Sequence, residues 1–330
     1  MPGRNYTLQD LFANIAGSIN ANVDTSTQFE VVDNFVNDSE ILILNESASP
    51  PSFTTSTNYP VLIDAEYPIA YWRLAESAGG VAFDSNQGLY SIYPRINSSS
   101  MTGVTQGAGS FLSHSKAAQF TASTSAIVFP NGSSIQITGD LTVEFWAFFT
   151  SFSTSGTAYG LVTKDGASFG TGEYGVYLFN NSGTGQIRYA QNGGMATLTA
   201  GSLSLNTWYH VAVVRDGTAK TVTIYINGTS AGSGSYATAP TGTTNSVVLG
   251  NNSTSAVAAT PMSLTEVALY AKPLSSSQAS SHHSWGAATD ALATAYGGLS
   301  SLYGTFPYPS LTHPTTTSYG AALWGTATWK

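Results

Sequence analysis

Through the middle of the chain, apolar residues recur at every second position, in short runs broken by Gly, Asn, Ser and Asp. Leu141–Phe149 (LTVEFWAFF) puts Leu141, Val143 and Phe145 on one side of an extended segment. A period of two is the period of a strand with one face in a core. Trp208–Arg215 (WYHVAVVR) and Thr221–Ile226 (TVTIYI) follow the same pattern, the second with Val222, Ile224 and Ile226 on one face. Asp216-Gly217 marks a turn between these two runs. Asn227-Gly228 closes the second as a tight hairpin, because Asn and Gly accept the positive φ that such a turn demands. Tyr174–Phe179, Gln186–Tyr189, Ser246–Leu249 and Leu264–Tyr270 read as further strands. From Tyr67 to about Gly286 the spacing predicts an all-β sandwich or barrel.

The flanks read differently. Thr7-Leu8-Gln9-Asp10 has capping-box spacing, and Leu8, Leu11, Phe12, Ile15 and Ile19 follow at helical intervals. This predicts a short amphipathic helix over about residues 8–19. Gln28–Val36 and Glu40–Asn45, divided by Asn37-Asp38-Ser39, predict a hairpin, and residues 46–60 (ESASPPSFTTSTNYP) a Pro/Ser/Thr linker. One helix and one hairpin cannot enclose a core. Residues 1–66 are therefore expected to form a docking arm whose stripe Leu8, Leu11, Phe12, Ile15 and Ile19 contacts other chains. At the far end Ser275–His283 predicts one or two helical turns. Residues 287–330, rich in Ala, Gly, Thr and Tyr, predict an extended C-terminal arm with a short helix over Ala287–Tyr296. The expected organisation is thus arm and linker 1–66, sandwich 67–286 and arm 287–330.

Charge changes the picture most. Only 8% of the 330 residues are Asp, Glu, Lys or Arg, against about 25% in an ordinary soluble domain. The net charge is −8, which leaves no basic patch for a row of phosphates and argues against nucleic acid as a partner. No run reaches the roughly 20 apolar residues of a membrane span, and membrane insertion is not expected. Ser, Thr, Asn and Gly carry the hydration instead, a composition that suits a surface held outside cells. Cysteine is absent, so disulfides and thiol chemistry are excluded. The opening MPGRNYTLQDLFANIAG shows no signal-peptide run, because Asn5, Thr7, Gln9, Asp10 and Asn14 interrupt it.

A set of short motifs then gives the middle segment a relative. Tyr71-Trp72-Arg73-Leu74 with Glu76, Ala82-Phe83-Asp84-Ser85, Ala117–Phe120, Leu141–Trp146 and Leu161–Lys164 come in order. Trp208–Val213, Val222–Gly228, Glu266–Tyr270 and Pro273-Leu274-Ser275 follow. This series resembles the laminin-G-like, concanavalin-A-like jelly-roll family over roughly 220 residues. The resemblance implies a two-sheet antiparallel jelly roll, with Trp72, Trp146 and Trp208 packed in strands. It also implies a structural calcium near Asp84 and Asn86, although Thr265 stands where a second carboxylate would be expected. A hard cation prefers several carboxylates among six to eight oxygens. The fold hosts lectins, glycanases and structural modules alike, so it does not by itself name a ligand.

Catalysis finds no support in the motifs. Glycanases need two carboxylates across the scissile bond, and Glu144 has Thr142 and Trp146, not acids, beside it on its strand face. Gly166-Ala167-Ser168-Phe169-Gly170 matches the nucleophile-elbow string, and Gly170–Gly175 the dinucleotide string. Both lie between β runs with no helix to follow, so both read as loop. His210 reads as a satisfied core histidine, and His282-His283 with Asp290 as a solvated junction. Loop aromatics that stack on sugar rings are the expected ligand contacts: Tyr90, Tyr93 and Arg95 in the long loop 86–110, with Tyr159 and Tyr236 near other turns. The virion proteins of tailed bacteriophages commonly display this kind of domain. The expected function is therefore a non-enzymatic surface protein of a bacteriophage virion, assembled with other virion proteins and copies of itself, and adhering weakly to glycans. The alternative is a secreted bacterial carbohydrate-binding or adhesin module.

Overall fold

The computed structural model describes residues 41–45, 52–56, 59–85, 95–110, 116–166, 170–192, 198–252 and 259–295. In chain order the elements are β1 (Ile41–Asn45), β2 (Ser52–Ser56), α1 (Tyr59–Ala65), β3 (Ala70–Trp72), β4 (Ser100–Thr102), β5 (Val104–Gly109) and β6 (Lys116–Phe120). Then come β7 (Ala126–Phe129), β8 (Leu141–Phe149), β9 (Ala158–Lys164), β10 (Tyr174–Asn181), β11 (Thr184–Ala190) and β12 (Leu198–Leu203). The series ends with β13 (Trp208–Asp216), β14 (Thr221–Ile226), β15 (Thr229–Ser235), β16 (Val247–Leu249), β17 (Met262–Tyr270) and α2 (Ser276–Ala295).

The strands form a two-sheet antiparallel jelly roll. One sheet has seven strands in the order β12-β11-β10-β9-β16-β7-β4. The other has eight: β15-β14-β13-β8-β17-β6-β5, with β3 also on β17. Both β6 and β3 pair along one edge of β17, β6 with Met262–Leu264 and β3 with Val267–Leu269. Between them a bulge at Thr265–Ala268 interrupts the register with β8, and Glu266 takes φ +54 there. The predicted turn at Asn227-Gly228 is present, with φ of 50 and 72 joining β14 to β15.

The core lies between the two inner faces. Leu141, Val143 and Phe145 of β8 meet Val211 and Val213 of β13, Ile224 of β14 and Leu161 of β9 in one buried cluster. Trp72 stacks on Phe129 across the sandwich, ring centroids 3.8 Å apart. The alternation that marked these strands is thus the alternation between core and outer face.

A second apolar cluster lies on the outer face of the eight-stranded sheet: Tyr59, Ile63, Tyr71, Trp146, Val214, Ala268, Tyr270 and Leu274. Two helices roof it. α1 carries Pro60 in its first turn, where a missing N–H costs nothing. It stops before Tyr67, which takes φ +54, and Pro68. α2 starts with a capping box: Gln278 N donates to Ser275 Oγ, and Ser275 N donates to Gln278 Oε1. The N–H of Leu274 donates to Thr142 Oγ1, His282 reaches Glu144 and Gly286 meets the Trp146 indole. α2 therefore runs alongside β8. The two helices are tied by Glu66, which accepts from Lys272 Nζ and from Gln278 Nε2 at 2.7 Å.

These helices revise three expectations. The packed unit reaches back to Tyr59, because the Tyr59 and Ile63 side chains fill the space above Trp146 and Tyr71. The segment read as a linker contains β2, which pairs with β1, and the start of α1. The turns expected at 275–283 and the helix expected at 287–296 are one continuous helix, so no boundary falls at 286. The stripe Leu8, Leu11, Phe12, Ile15 and Ile19, the run Gln28–Val36 and residues 296–330 lie outside the described residues.

Candidate functional site

The two outer faces of the sandwich differ in chemistry. On the roofed face of the eight-stranded sheet sits a buried polar cluster. Glu144, on the outer side of β8, is fully buried. Its carboxylate accepts from His210 Nε2 at 2.6 Å, from His282 Nδ1 at 2.9 and 3.0 Å, and from Tyr270 OH at 3.0 Å. Burial alone would raise the Glu144 pKa. The charge of His282 and the bonds from both histidines overcome this and hold it well below the usual carboxylate range. For His282 burial lowers the pKa, but the Glu144 carboxylate prevails and the net shift is upward. His283, against Trp146 at 5.8 Å between centroids, is pushed down by burial and by His210. With both histidines and the carboxylate at zero exposure, the cluster meets no solvent. Its chemistry is to clamp α2 onto the sheet.

Other acids are absorbed in the same way. Glu266 accepts from Tyr71 OH and pairs with Arg73 at 3.3 Å. Glu173 pairs with Lys164 at 3.3 Å, both buried, and accepts from Thr243 Oγ1. Asp165 accepts from the N–H groups of Gly166, Gly170 and Thr171 and from Tyr177 OH, closing the loop that follows β9. Both glycine strings run through this loop, and residues 167–169 of the first lie outside the described residues.

The outer face of the seven-stranded sheet has no helix on it among the described residues. Towards one edge, beside the edge strand β12, is the β10–β11 hairpin, with Phe179 opposite Gln186 and Tyr177 opposite Arg188. The Arg188 guanidinium carbon lies 3.3 Å from the Phe179 ring centroid, a cation–π stack. Arg188 Nε also donates to Thr199 Oγ1 on β12 at 2.9 Å. Gln186 Nε2 donates to Gly201 O at 3.2 Å. Phe179, Gln186, Arg188 and Thr199 are all half-buried, a continuous surface of one ring, one cation, one amide and one hydroxyl. Across the seven strands Lys164 and Arg188 are the only charged residues, and Lys164 is buried in its pair with Glu173.

The residues picked from the sequence fare differently. Tyr159 is 4% exposed and packs in the core, its OH accepting from Thr154 N at 2.7 Å. Tyr236 is 5% exposed, with its OH on Asp216 O at 3.3 Å. Neither ring can stack on a ligand, and the assignment of both as glycan contacts is corrected: these turns fold their aromatics inward. Arg95 is exposed, while Tyr90, Tyr93 and Asn86 lie outside the described residues.

Of the two residues expected beside a calcium ion, Asp84 is described and Asn86 lies outside the described residues. Asp84 is 2% exposed, and its two oxygens accept the backbone N–H groups of Tyr71 and Ile96 at 3.0 and 2.9 Å. Thr265 Oγ1 donates to Arg73 O and Lys116 O. The Asp84 carboxylate is thus turned to amides and the Thr265 hydroxyl to carbonyls. Among the described residues no group of three or more His, Cys, Asp or Glu is placed to hold a metal.

Comparison with known proteins fits this architecture. Residues 121–280 match the family model described as the concanavalin A-like lectin/glucanases superfamily. A search of curated proteins finds no match. Among solved structures, the binding domain of Paraclostridial Mosquitocidal Protein 1 superposes with a TM-score of 0.51 at 19% identity, over 67% of this chain and 52% of that one. The botulinum neurotoxin serotype D/C VPI 5993 binding domain gives 0.50 at 12%, over 68% and 53%. A structure of botulinum neurotoxin type C, described as dependent on two ganglioside molecules for reaching the cell interior, gives 0.51 at 13%, over 68% and 52%. The chain thus spans about half the length of these proteins, and the likeness is one of fold.

The sequence reading missed both Glu144's partners and the Phe179–Arg188 platform. His282 is 138 positions from Glu144, beyond any local pattern. The platform had a signal: the turn at Ser182-Gly183, with φ of 53 and 93, fixes which residues of β10 and β11 face each other, and Phe179 and Arg188 then share a face.

Proposed function

We propose that this chain is a non-catalytic, lectin-like display module that adheres weakly to glycans on behalf of a larger particle, a bacteriophage virion, on whose surface it stands. The observation that carries the adhesive part is the outer face of the seven-stranded sheet, free of helices among the described residues, where an aromatic ring, an amide and a hydroxyl lie side by side at half-buried positions. Shallow faces of this kind suit sugar rings, which offer one apolar side and a rim of hydroxyls. The lectin/glucanase family match over residues 121–280 and the ganglioside named for one structural neighbour support the same reading. The absorption of Asp84, Glu144, Asp165, Glu173 and Glu266 into structural hydrogen bonds supports a binding role over hydrolysis. The particle is supported by composition: only 8% of residues are charged, so hydroxyls and amides carry the hydration, as suits a surface held outside cells. Many copies on one particle would raise avidity without tight single sites.

Two measurements test this. The protein coupled at high density to beads should bind a glycan array that it scarcely binds as a free chain, and it should release no reducing sugar from the glycans it holds. Absence of binding in the dense format, or sugar release that Glu144→Gln abolishes, overturns the lectin reading. In infected cultures the protein should sediment with particles on a density gradient after lysis. Recovery as free protein in the medium before lysis would instead make it a secreted adhesin module.

A further inference from the structure

We propose that Lys164 and Asn131 join in a spontaneous isopeptide cross-link between the ends of β9 and β7, with Glu173 carrying the protons. The inference is independent of the glycan reading and concerns a covalent bond the sandwich makes within itself.

Three side chains meet at one end of the sandwich. Lys164 is the last residue of β9, and its side chain has zero exposure. Its Nζ donates to Asn131 Oδ1 at 2.8 Å and lies 3.3 Å from Glu173 Oε1. Asn131 stands just beyond β7 and is half-buried. A solvated lysine is an inert ammonium, whereas a buried one gives up its proton more readily and becomes a nucleophile. Burial pushes the Lys164 amine down, and the Glu173 carboxylate opposes this without reversing it. The other oxygen of that carboxylate, Oε2, is buried and accepts no hydrogen bond among the described residues. It is placed to take a proton from its neighbour. Holding amine and amide in contact also removes much of the entropy barrier to their reaction.

The step balances without an outside reagent. The Lys164 ammonium passes one proton to Glu173, and the neutral Nζ attacks the side-chain carbon Cγ of Asn131. A bond from Nζ to Cγ forms, and the bond from Cγ to Nδ2 breaks. Nζ sheds a second proton through Glu173. Both protons leave with Nδ2, which departs as ammonium, and nothing is oxidised or reduced. Gln136 Nε2, 3.5 Å from Asn131 Oδ1, stands where negative charge gathers on that oxygen.

The topology gives such a staple a purpose. β16 lies between β9 and β7 in the sheet, so the two strands do not pair with each other. The bond would span the entry to β16, where the carbonyls of Thr243 and Asn245 already accept from Nζ. It joins positions 33 apart in a chain without cysteine. Closing that loop restricts the unfolded chain as a disulfide does.

The test is mass spectrometry of the purified full chain, intact and after digestion. Wild type should lack the mass of one ammonia and yield a branched peptide joining Asn131 to Lys164. Asn131→Ala removes the electrophile and spares the Lys164–Glu173 pair. It should keep its full mass and melt about 10 °C lower than wild type. Glu173→Gln should leave the bond unformed, with circular dichroism to show that the variant is folded; where it is not, Asn131→Ala carries the test. Ammonia loss without the branched peptide would mark a cyclic imide at Asn131-Gly132 and overturn the proposal. Recovery of Asn131 and Lys164 in separate, unmodified peptides overturns it as well. A folded Glu173→Gln that forms the bond as fast as wild type overturns the role given to Glu173.

Discussion

Glu144 stands at the centre of the residue-scale picture, because a carboxylate at zero exposure survives only when its lone pairs are taken up. Three side-chain donors do this, and one of them, His282, comes from the helix that roofs it. Removing one partner of a buried pair typically costs about 3–5 kcal/mol, since the other is left charged and unpaired. Glu144→Gln should therefore lower unfolding free energy by about that much in a urea titration. The pair also sets a pH window. His282 has a raised folded-state pKa, so its contribution is complete below about pH 6.5 and fades as pH climbs through the raised value. Glu144 has a depressed one, so its contribution is complete above about pH 4.3 and fades as pH falls toward the folded value. The other ionisable groups around the pair are His210, Tyr59, Tyr270, Glu66, Lys272 and His283. Stability should be greatest between about pH 5 and 6.5, and His282→Asn should flatten the alkaline side of a pH series of melts. Gly286 is the second sensitive position. A Cβ there would collide with the Trp146 indole, so Gly286→Val should prise α2 from β8, seen as a red shift and weakening of tryptophan fluorescence from the roofed face. A spectrum identical to wild type would mean that the helix can slide aside.

Helices and strands were legible from the sequence to very different degrees. LTVEFWAFF, WYHVAVVR and TVTIYI announce themselves because one face is core and the residues alternate accordingly. β10 and β11 were found short of their true ends, since Asn180, Asn181 and Thr184 look like turn residues although they complete the hairpin. α1 was hidden. YPVLIDA follows a Pro- and Ser-rich stretch, and its helicity depends on Tyr59 and Ile63 finding Trp146, a contact far away in sequence. α2 was read only as two pieces, turns at 275–283 and a helix at 287–296: SSQASSHHS offers no apolar stripe to join them, and the helix is held by a capping box, a buried ion pair and a glycine rather than by a greasy face. The candidate site was not read from the sequence, although its one local signal, the turn at Ser182-Gly183, sets which residues of β10 and β11 face each other. Tyr159 and Tyr236 misled because a tyrosine near a turn can as easily point its ring inward and leave only its OH to the backbone. The packing of α1 gives an element-scale prediction. Removal of Tyr59 and Ile63 forfeits about 1.5–3 kcal/mol each, and for a domain of this size each kcal/mol moves Tm by about 2–4 °C. Deleting residues 1–66 should then lower Tm by about 10 °C, whereas deleting 1–58 should leave it within about 3 °C. Equal melts for the two truncations would remove α1 from the cooperative unit.

At the scale of the whole molecule, a chain with 10 basic and 18 acidic residues has little charge with which to keep copies apart. Its sequence pI is about 4.9. Light scattering should register reversible self-association as pH approaches that value, relieved on return to pH 7; monodisperse behaviour throughout would show that the hydroxyl- and amide-rich surface suffices without charge. The sandwich is also two-sided in a practical sense. α1, through which the chain joins the fold, and α2, through which it departs, lie together on one sheet, and the Phe179–Arg188 platform belongs to the other. The module is wired like a lamp whose leads both come out at the back. Anything that grips the polypeptide on either side of the fold holds it by the rear, and the front is turned outward without a hinge or a change of shape to aim it.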